Sequence, residues 1–493
     1  MENDEAKAQG LVGIGVELVG AKLGDLRRSK RAAKLVETIA DDPSASFPSL
    51  FDRAGTEAFY RFVNNDDVTL DGLVEGHATE ACVRATEARE VLAIHDTTRF
   101  EFHGGPVREG LGWLKPDKGK ANKWKGQARW PGFLGHFTLL VTADGRRRPL
   151  GVSSLIPVNR TGPPRAKGRK ARLSGAQYAR LGSGEKESIR WLEGVERTER
   201  RLAGRAAVIH VMDREGDSFG LMHGLVQRHE RFVIRANYDR KVGGEAESTL
   251  WDELERAKMV LTRTVPLSRR TGSGFAKDAG RHPARLEREA KLRIGWCRVT
   301  LAAPTYLRKV ASNIELNVVL VREVDPPDGH GVEWVLHTTE PVDTAEDIAR
   351  VVDIYQARWL IEEFFRALKT GCRYEERQLE SYDALLRALG LLVPVAWKLL
   401  DLRSWARTAP QASATDVLTG TQIDVLSALC PKRNLGPKPT VRAALLAVAS
   451  LGGHLPNNGE PGWLVLHRGW ERLAAATLGW EAARGRRDGG VEM

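Results

Sequence analysis

Two short apolar runs that each end in an aspartate place the strongest limit on what this chain can fold into. Val91-Leu-Ala-Ile-His leads to Asp96, and Ala206-Ala-Val-Ile-His-Val-Met leads to Asp213. Runs of this length, without polar alternation, read as strands buried on both faces of an α/β sheet. Such sheets expose functional groups at strand ends, so each aspartate is predicted to stand at the carboxyl end of its strand. Either acid could also cap the segment that follows it.

A third acid lies on a stretch with helical periodicity. Tyr355 to Lys369 contains no Gly or Pro and is predicted to form one helix of about four turns. At 100° per residue, Tyr355, Arg358, Glu362 and Lys369 fall within a sector of roughly 60°. Ile354, Ala357, Ile361, Phe364, Phe365 and Leu368 form the adjacent apolar stripe. Glu363 points away from the other polar residues, so spacing selects Glu362. A carboxylate among Arg, Lys and a Tyr hydroxyl suits a surface that handles phosphate and holds a metal ion. The alternative is a solvated face with ordinary ion pairs.

The chain carries 75 Lys+Arg against 64 Asp+Glu, a net charge of +11, which favours a polyanionic partner. The excess is clustered. Arg27, Arg28, Lys30, Arg31 and Lys34 face away from Ala32, Ala33, Val36, Ile39 and Ala40 on an amphipathic helix. Six basic residues between Lys115 and Arg129 are interleaved with tryptophan, a composition that grips a nucleic-acid backbone. Six more lie between Arg160 and Arg172, with no acid before Glu185. The four cysteines are scattered without metal-ligand spacing, which argues against a zinc site and fits a reducing compartment. The acidic, polar N-terminus is unlike a signal peptide, and no run of 18 apolar residues suggests a membrane span.

Tyr355, Arg358, Glu362 and Lys369 have the Y-(2)-R-(3)-E-(6)-K spacing that resembles the signature of the insertion-sequence-four (IS-four) family of DDE transposases. Asp96-Thr-Thr and Asp213-Arg-Glu-Gly-Asp resemble that family's other two catalytic segments. Glu185-Lys-Glu-Ser, Arg231-Phe-Val-Ile-Arg, Glu333-Trp-Val-Leu-His-Thr-Thr-Glu-Pro, and Leu23-Gly-Asp-Leu-Arg-Arg with Tyr60-Arg-Phe also match. The resemblance spans roughly residues 15–400. It implies that Asp96, Asp213 and Glu362 are a metal-binding catalytic triad on a ribonuclease-H-like fold. Tyr355, Arg358, Lys369 and Arg235 would hold phosphates of the transposon end, and Trp334 would stack on a flipped base. Three such acids can hold two Mg²⁺ ions, with Mn²⁺ able to substitute.

The organisation expected is α/β overall. A helical N-terminal DNA-binding domain (1–80) precedes a ribonuclease-H-like catalytic domain (81–237 and 346–384) interrupted by a β-rich insertion (238–345). A helical C-terminal dimerisation region with a disordered tail (385–493) follows. The partners implied are double-stranded DNA and a second copy of the chain, in the bacterial cytoplasm at the nucleoid. A non-catalytic DNA-binding inhibitor or regulatory relative is the alternative.

Overall fold

A computed structural model describes residues 13–103, 107–114, 130–161, 189–243, 248–267, 286–308, 310–327, 331–455, 457 and 459–488. The Lys115–Arg129 segment, the run from Arg165 to Arg172, Glu185-Lys-Glu-Ser and most of the patch from Arg269 to Arg288 lie outside these residues. No helix among the described residues is long and apolar enough to cross a membrane.

The N-terminal segment is helical. Asp25 caps the Leu26–Asp41 helix by accepting from the Arg27 N–H, and Asp52 caps Arg53–Val63 in the same way through Gly55. A longer helix, Leu70–Ala88, then leads into the sheet.

Twelve strands follow, named in chain order: β1 (Glu90–Glu101), β2 (Trp113–Leu114), β3 (Trp130–Thr142), β4 (Pro149–Val158), β5 (Ala207–Met212), β6 (Arg231–Arg235), β7 (Lys241–Val242), β8 (Ser248–Thr249), β9 (Lys258–Leu267), β10 (Arg288–Leu301), β11 (Ile314–Glu323) and β12 (Glu333–Thr338). They form one sheet in the order β2-β3-β1-β5-β6-β12-β11-β10-β7-β8, with β4 on β3 and β9 on β10. β3 runs antiparallel to both of its neighbours, β1 and β4, whereas β5 and β6 run parallel to β1. The later strands extend the sheet from β6, because β12 pairs antiparallel with it.

Alternation along the strands sends Leu92, Ile94, Ile209, Val211 and Val233 into a core shared with the helices after residue 345. Met212, Phe232 and Ile234 enter a second core with Trp191 and Val195 of the Ile189–Leu202 helix on the opposite face. The two faces therefore have different helical covers, and the candidate acids lie under only one of them.

The structure differs from the sequence expectations in several places. Asp96 is not at the end of its strand. β1 continues to Glu101 because its antiparallel partner β3 keeps pairing as far as Glu101↔Gly132. Only the pairing with β5 stops beside Asp96, at His95↔Met212. The expected single helix is split: Ala345–Ala357 ends at Arg358, Trp359–Arg366 follows, and Ala367–Gly371 forms a π turn. Local hydrogen bonds explain this, since the N–H groups of Arg358 and Ile361 reach back three residues and that of Cys372 reaches back five. Near the C-terminus, Trp463–Asp488 is helical through residues expected to be a disordered tail. Its Ala- and Arg-rich sequence has high helix propensity, which outweighs the charged, glycine-bearing composition. Residues 489–493 lie outside the described residues.

Candidate active site

The parallel register brings the first two acids together. His95 lies opposite Met212, and Met212 opposite Ile234. One residue further along these three adjacent strands come Asp96, Asp213 and Arg235, in a single row. They share the parity of Ile94, Val211 and Val233, so they face the helices after residue 345. Trp359–Arg366 packs against β1 on that side and carries Glu362.

Arg358 ties the acids. Its guanidinium donates to Asp96 Oδ2 at 3.1 Å and to Glu362 Oε1 at 2.6 Å. Burial works against the Arg358 charge, but Tyr355, Glu362 and Asp96 outweigh it and hold the group protonated. Burial pushes Asp96 up to about 7; the Asp213 and Glu362 charges add to this, while Arg358 and the Thr97 N–H oppose it. Asp213 accepts a hydrogen bond from the Glu215 N–H at 2.8 Å, which fixes the turn that ends β5. The N-cap reading of Asp213 is therefore realised, alongside its place in the acidic row.

The other sequence-selected residues surround this group. Tyr355 is buried, with its ring edge-on to Trp334 at 5.2 Å. Arg235 donates to the Glu333 carbonyl at 2.8 Å, beside Trp334. Lys369, on the π turn, donates to the Arg99 carbonyl and lies 3.6 Å from the Glu375 carboxylate. It lines a cleft of about 830 Å³ with Tyr60, Arg373 and Arg377. In the N-terminal segment, Arg27 and Arg31 are exposed. Arg28 is turned inward, donating to the Leu23 carbonyl and pairing with Asp67.

Sequence reasoning missed two further basic residues. Arg190 donates to Thr97 Oγ1 at 3.0 Å and to Glu215 at 3.3 Å, bridging the segments that follow the two aspartates. Arg214 directly follows Asp213, and burial and then the Arg235 charge lower its pKa. The signal was there in place but not in role: Arg214 lies inside Asp213-Arg-Glu-Gly-Asp, and Arg190 follows Glu185-Lys-Glu-Ser by two residues.

Residues 15–68 match the family model described as transposase DNA-binding, and residues 208–396 match the transposase DDE domain. The chain carries both of these domains. Together they support a DNA-cleaving transposase, with DNA as its partner. The DNA-binding match contains Arg27, Arg28 and Arg31; the DDE match contains Asp213, Arg235, Trp334 and the stretch from Tyr355 to Lys369, while Asp96 lies before it.

A DDE domain implies use of a divalent metal, and the donors present fit one. Arg358 stands between Asp96 and Glu362, and Asp213 is near enough for its charge to act on Asp96. Burial first and then the neighbouring carboxylates raise the Asp96 carboxyl, although the ligand atoms of the three acids do not all lie within 4.8 Å of one another. Hard oxygen donors of this kind suit Mg²⁺ or Mn²⁺.

A raised carboxyl pKa favours the folded state at low pH, because the folded chain then holds a proton that the unfolded chain has lost. Metal-free protein is therefore expected to lose stability from Asp96 as pH rises from about 4 to about 7. Asp96→Asn removes that contribution, so its gain in unfolding midpoint over the unaltered protein is expected to be larger at pH 8 than at pH 5. Equal gains at both pH values would contradict the shift.

Proposed function

We propose that the chain is a cut-and-paste DNA transposase of the IS-four type, resembling most the transposase of transposon five. The observation that carries this reading is the convergence of three distant segments, with Asp96 and Glu362 sharing Arg358 and Asp213 close enough for its charge to act on Asp96. The strand order β4-β3-β1-β5-β6, with three antiparallel strands followed by two parallel ones, supports a ribonuclease-H-like catalytic unit.

In this reading Asp96, Asp213 and Glu362 are the metal ligands. Two bound Mg²⁺ ions supply Lewis acidity that activates the attacking oxygen and neutralises the leaving one. Arg358, Lys369, Tyr355 and Arg235 hold phosphates of the transposon end, and Arg358 exchanges a carboxylate for a phosphate when DNA is seated. Trp334, packed on Tyr355, receives a base flipped out beside the cleaved bond. Water first cuts the 3′ end. The freed 3′-hydroxyl then attacks the opposite strand to give a hairpin, which is reopened before the 3′ ends join target DNA.

Arg27 and Arg31, exposed on the N-terminal helix, lie against the terminal repeat, while Arg28 braces that helix through Asp67. Two copies synapse two ends, each cutting the end held by its partner, with the segment from 385 onward as the dimerisation region. The setting is the bacterial nucleoid.

The test uses duplexes carrying the element's own inverted repeat, with Mg²⁺. Nicked, hairpin-capped and target-joined products are expected in succession. Cutting without hairpins or joining would instead mark a nuclease. Stacking a base on an indole is worth about 1–3 kcal/mol. Trp334→Ala is therefore expected to slow hairpin formation about tenfold or more while the first nick persists, as measured by single-turnover gel kinetics.

A further inference from the structure

On the face of the sheet opposite the acidic row, β5 points a fully buried imidazole at two carboxylates. His210 Nε2 lies 3.0 Å from Glu199 Oε1, on the Ile189–Leu202 helix. Glu230, which immediately precedes β6, completes the group: one ligand atom from each of the three residues lies within 4.8 Å of the others. It is the only such group of three among the described residues. We propose that Glu199, His210 and Glu230 form a second metal site, for a borderline divalent cation such as Zn²⁺, separate from the catalytic acids.

Three observations support this. The first is unbalanced charge. No donor among the described residues hydrogen-bonds the Glu230 carboxylate, and Arg228, two residues before it, is engaged by Glu196 at 2.6 Å. Two carboxylates gathered at one imidazole repel each other, and a bound cation would offset that repulsion.

The second is orientation. The other nitrogen of His210 lies 2.9 Å from His95 Nε2, and His95 Nδ1 lies 3.0 Å from Thr138 Oγ1. With an ion on His210 Nε2, the His210 Nδ1–H donates to His95, and the His95 Nδ1–H donates to Thr138. An imidazole fixed through its distal N–H is the usual outer support of a metal ligand. Gly194 allows the covering helix to come this close, since a Cβ there would meet His95 Nδ1 at 3.1 Å and Thr138 Oγ1 at 3.2 Å.

The third is chemistry. One imidazole with two carboxylates is a mixed N/O set that suits Zn²⁺, and partial exposure of both glutamates leaves room for a water ligand. The catalytic acids offer oxygen alone, so the two sites can be told apart by their ligand atoms. The ion would clamp the Ile189–Leu202 helix to the middle of β5 and to the residue before β6, at the end of β6 opposite Arg235.

The test uses full-length protein carrying Asp213→Asn, stripped by chelator and titrated with zinc chloride alone. One equivalent of Zn²⁺ is expected to bind. Adding Glu199→Gln or Glu230→Gln should weaken binding at least roughly tenfold and leave the metal-free unfolding midpoint nearly unchanged. X-ray absorption of the zinc-loaded, otherwise unaltered protein should show an imidazole shell, a readout that does not depend on how the variants fold. An all-oxygen shell, no zinc uptake, or an affinity unchanged from the parent protein in both glutamine variants would overturn the proposal.

Discussion

Replacing Glu362 with alanine is expected to lower Mg²⁺-dependent cleavage of transposon ends by at least roughly 10³-fold, because metal-held charge stabilisation supplies several kcal/mol of the barrier reduction. Binding of the ends should largely persist, since Tyr355, Lys369, Arg235 and the N-terminal basic helix are untouched. Folding should also persist. Glu362 is partly exposed, its only ion pair among the described residues is with Arg358, and Arg358 retains Asp96 when that pair is lost. The expected stability change is therefore within about 1 kcal/mol. Paired gel-shift and cleavage assays on one DNA end measure both properties. Cleavage at the unaltered rate would remove Glu362 from the chemistry.

The neighbouring residue should behave in the opposite way. Glu363 is buried, accepts hydrogen bonds from Arg403 and from Trp463 Nε1 at 2.9 Å, and pairs with Arg366 at 3.1 Å. These contacts anchor the C-terminal helices to the helix that carries Glu362. Glu363→Ala would leave the buried Arg403 without its carboxylate, a change that typically costs about 3–5 kcal/mol. A much lower denaturant midpoint is expected, and activity per folded molecule should fall far less than in Glu362→Ala. A midpoint unchanged within about 0.5 kcal/mol would show that the pair contributes nothing to stability.

The contrast between these two glutamates shows how far the sequence can be read. Angular spacing separated Glu362 from Glu363, and the buried apolar stripe from Ile354 to Leu368 lies where periodicity put it. Spacing could not reveal that Glu363 has its own partners, because Arg403 and Trp463 lie 40 and 100 residues away. The break at Arg358 and the π turn at Lys369 were equally hidden: both depend on which carbonyl each N–H selects under packing. The apolar runs located β1 and β5, yet the length of β1 was set by β3, a distant partner. The Trp463–Asp488 helix escaped because flanking Gly and Pro masked its pattern. Glu199, His210 and Glu230 share no motif and meet only through the fold.

The continuity of the sheet across β5, β6 and β12 has a further consequence. Asp213, Arg235 and Trp334 sit on adjoining strands of one hydrogen-bonded framework. Neighbouring strands keep a separation of about 4.8 Å that no hinge can alter. In the proposed reaction, the gap between the severed bond and the displaced base is thus gauged by backbone pairing, as by a ruler. A DNA end with its unpaired base one step out of place must distort itself to fit, because paired strands do not slide apart to accommodate it.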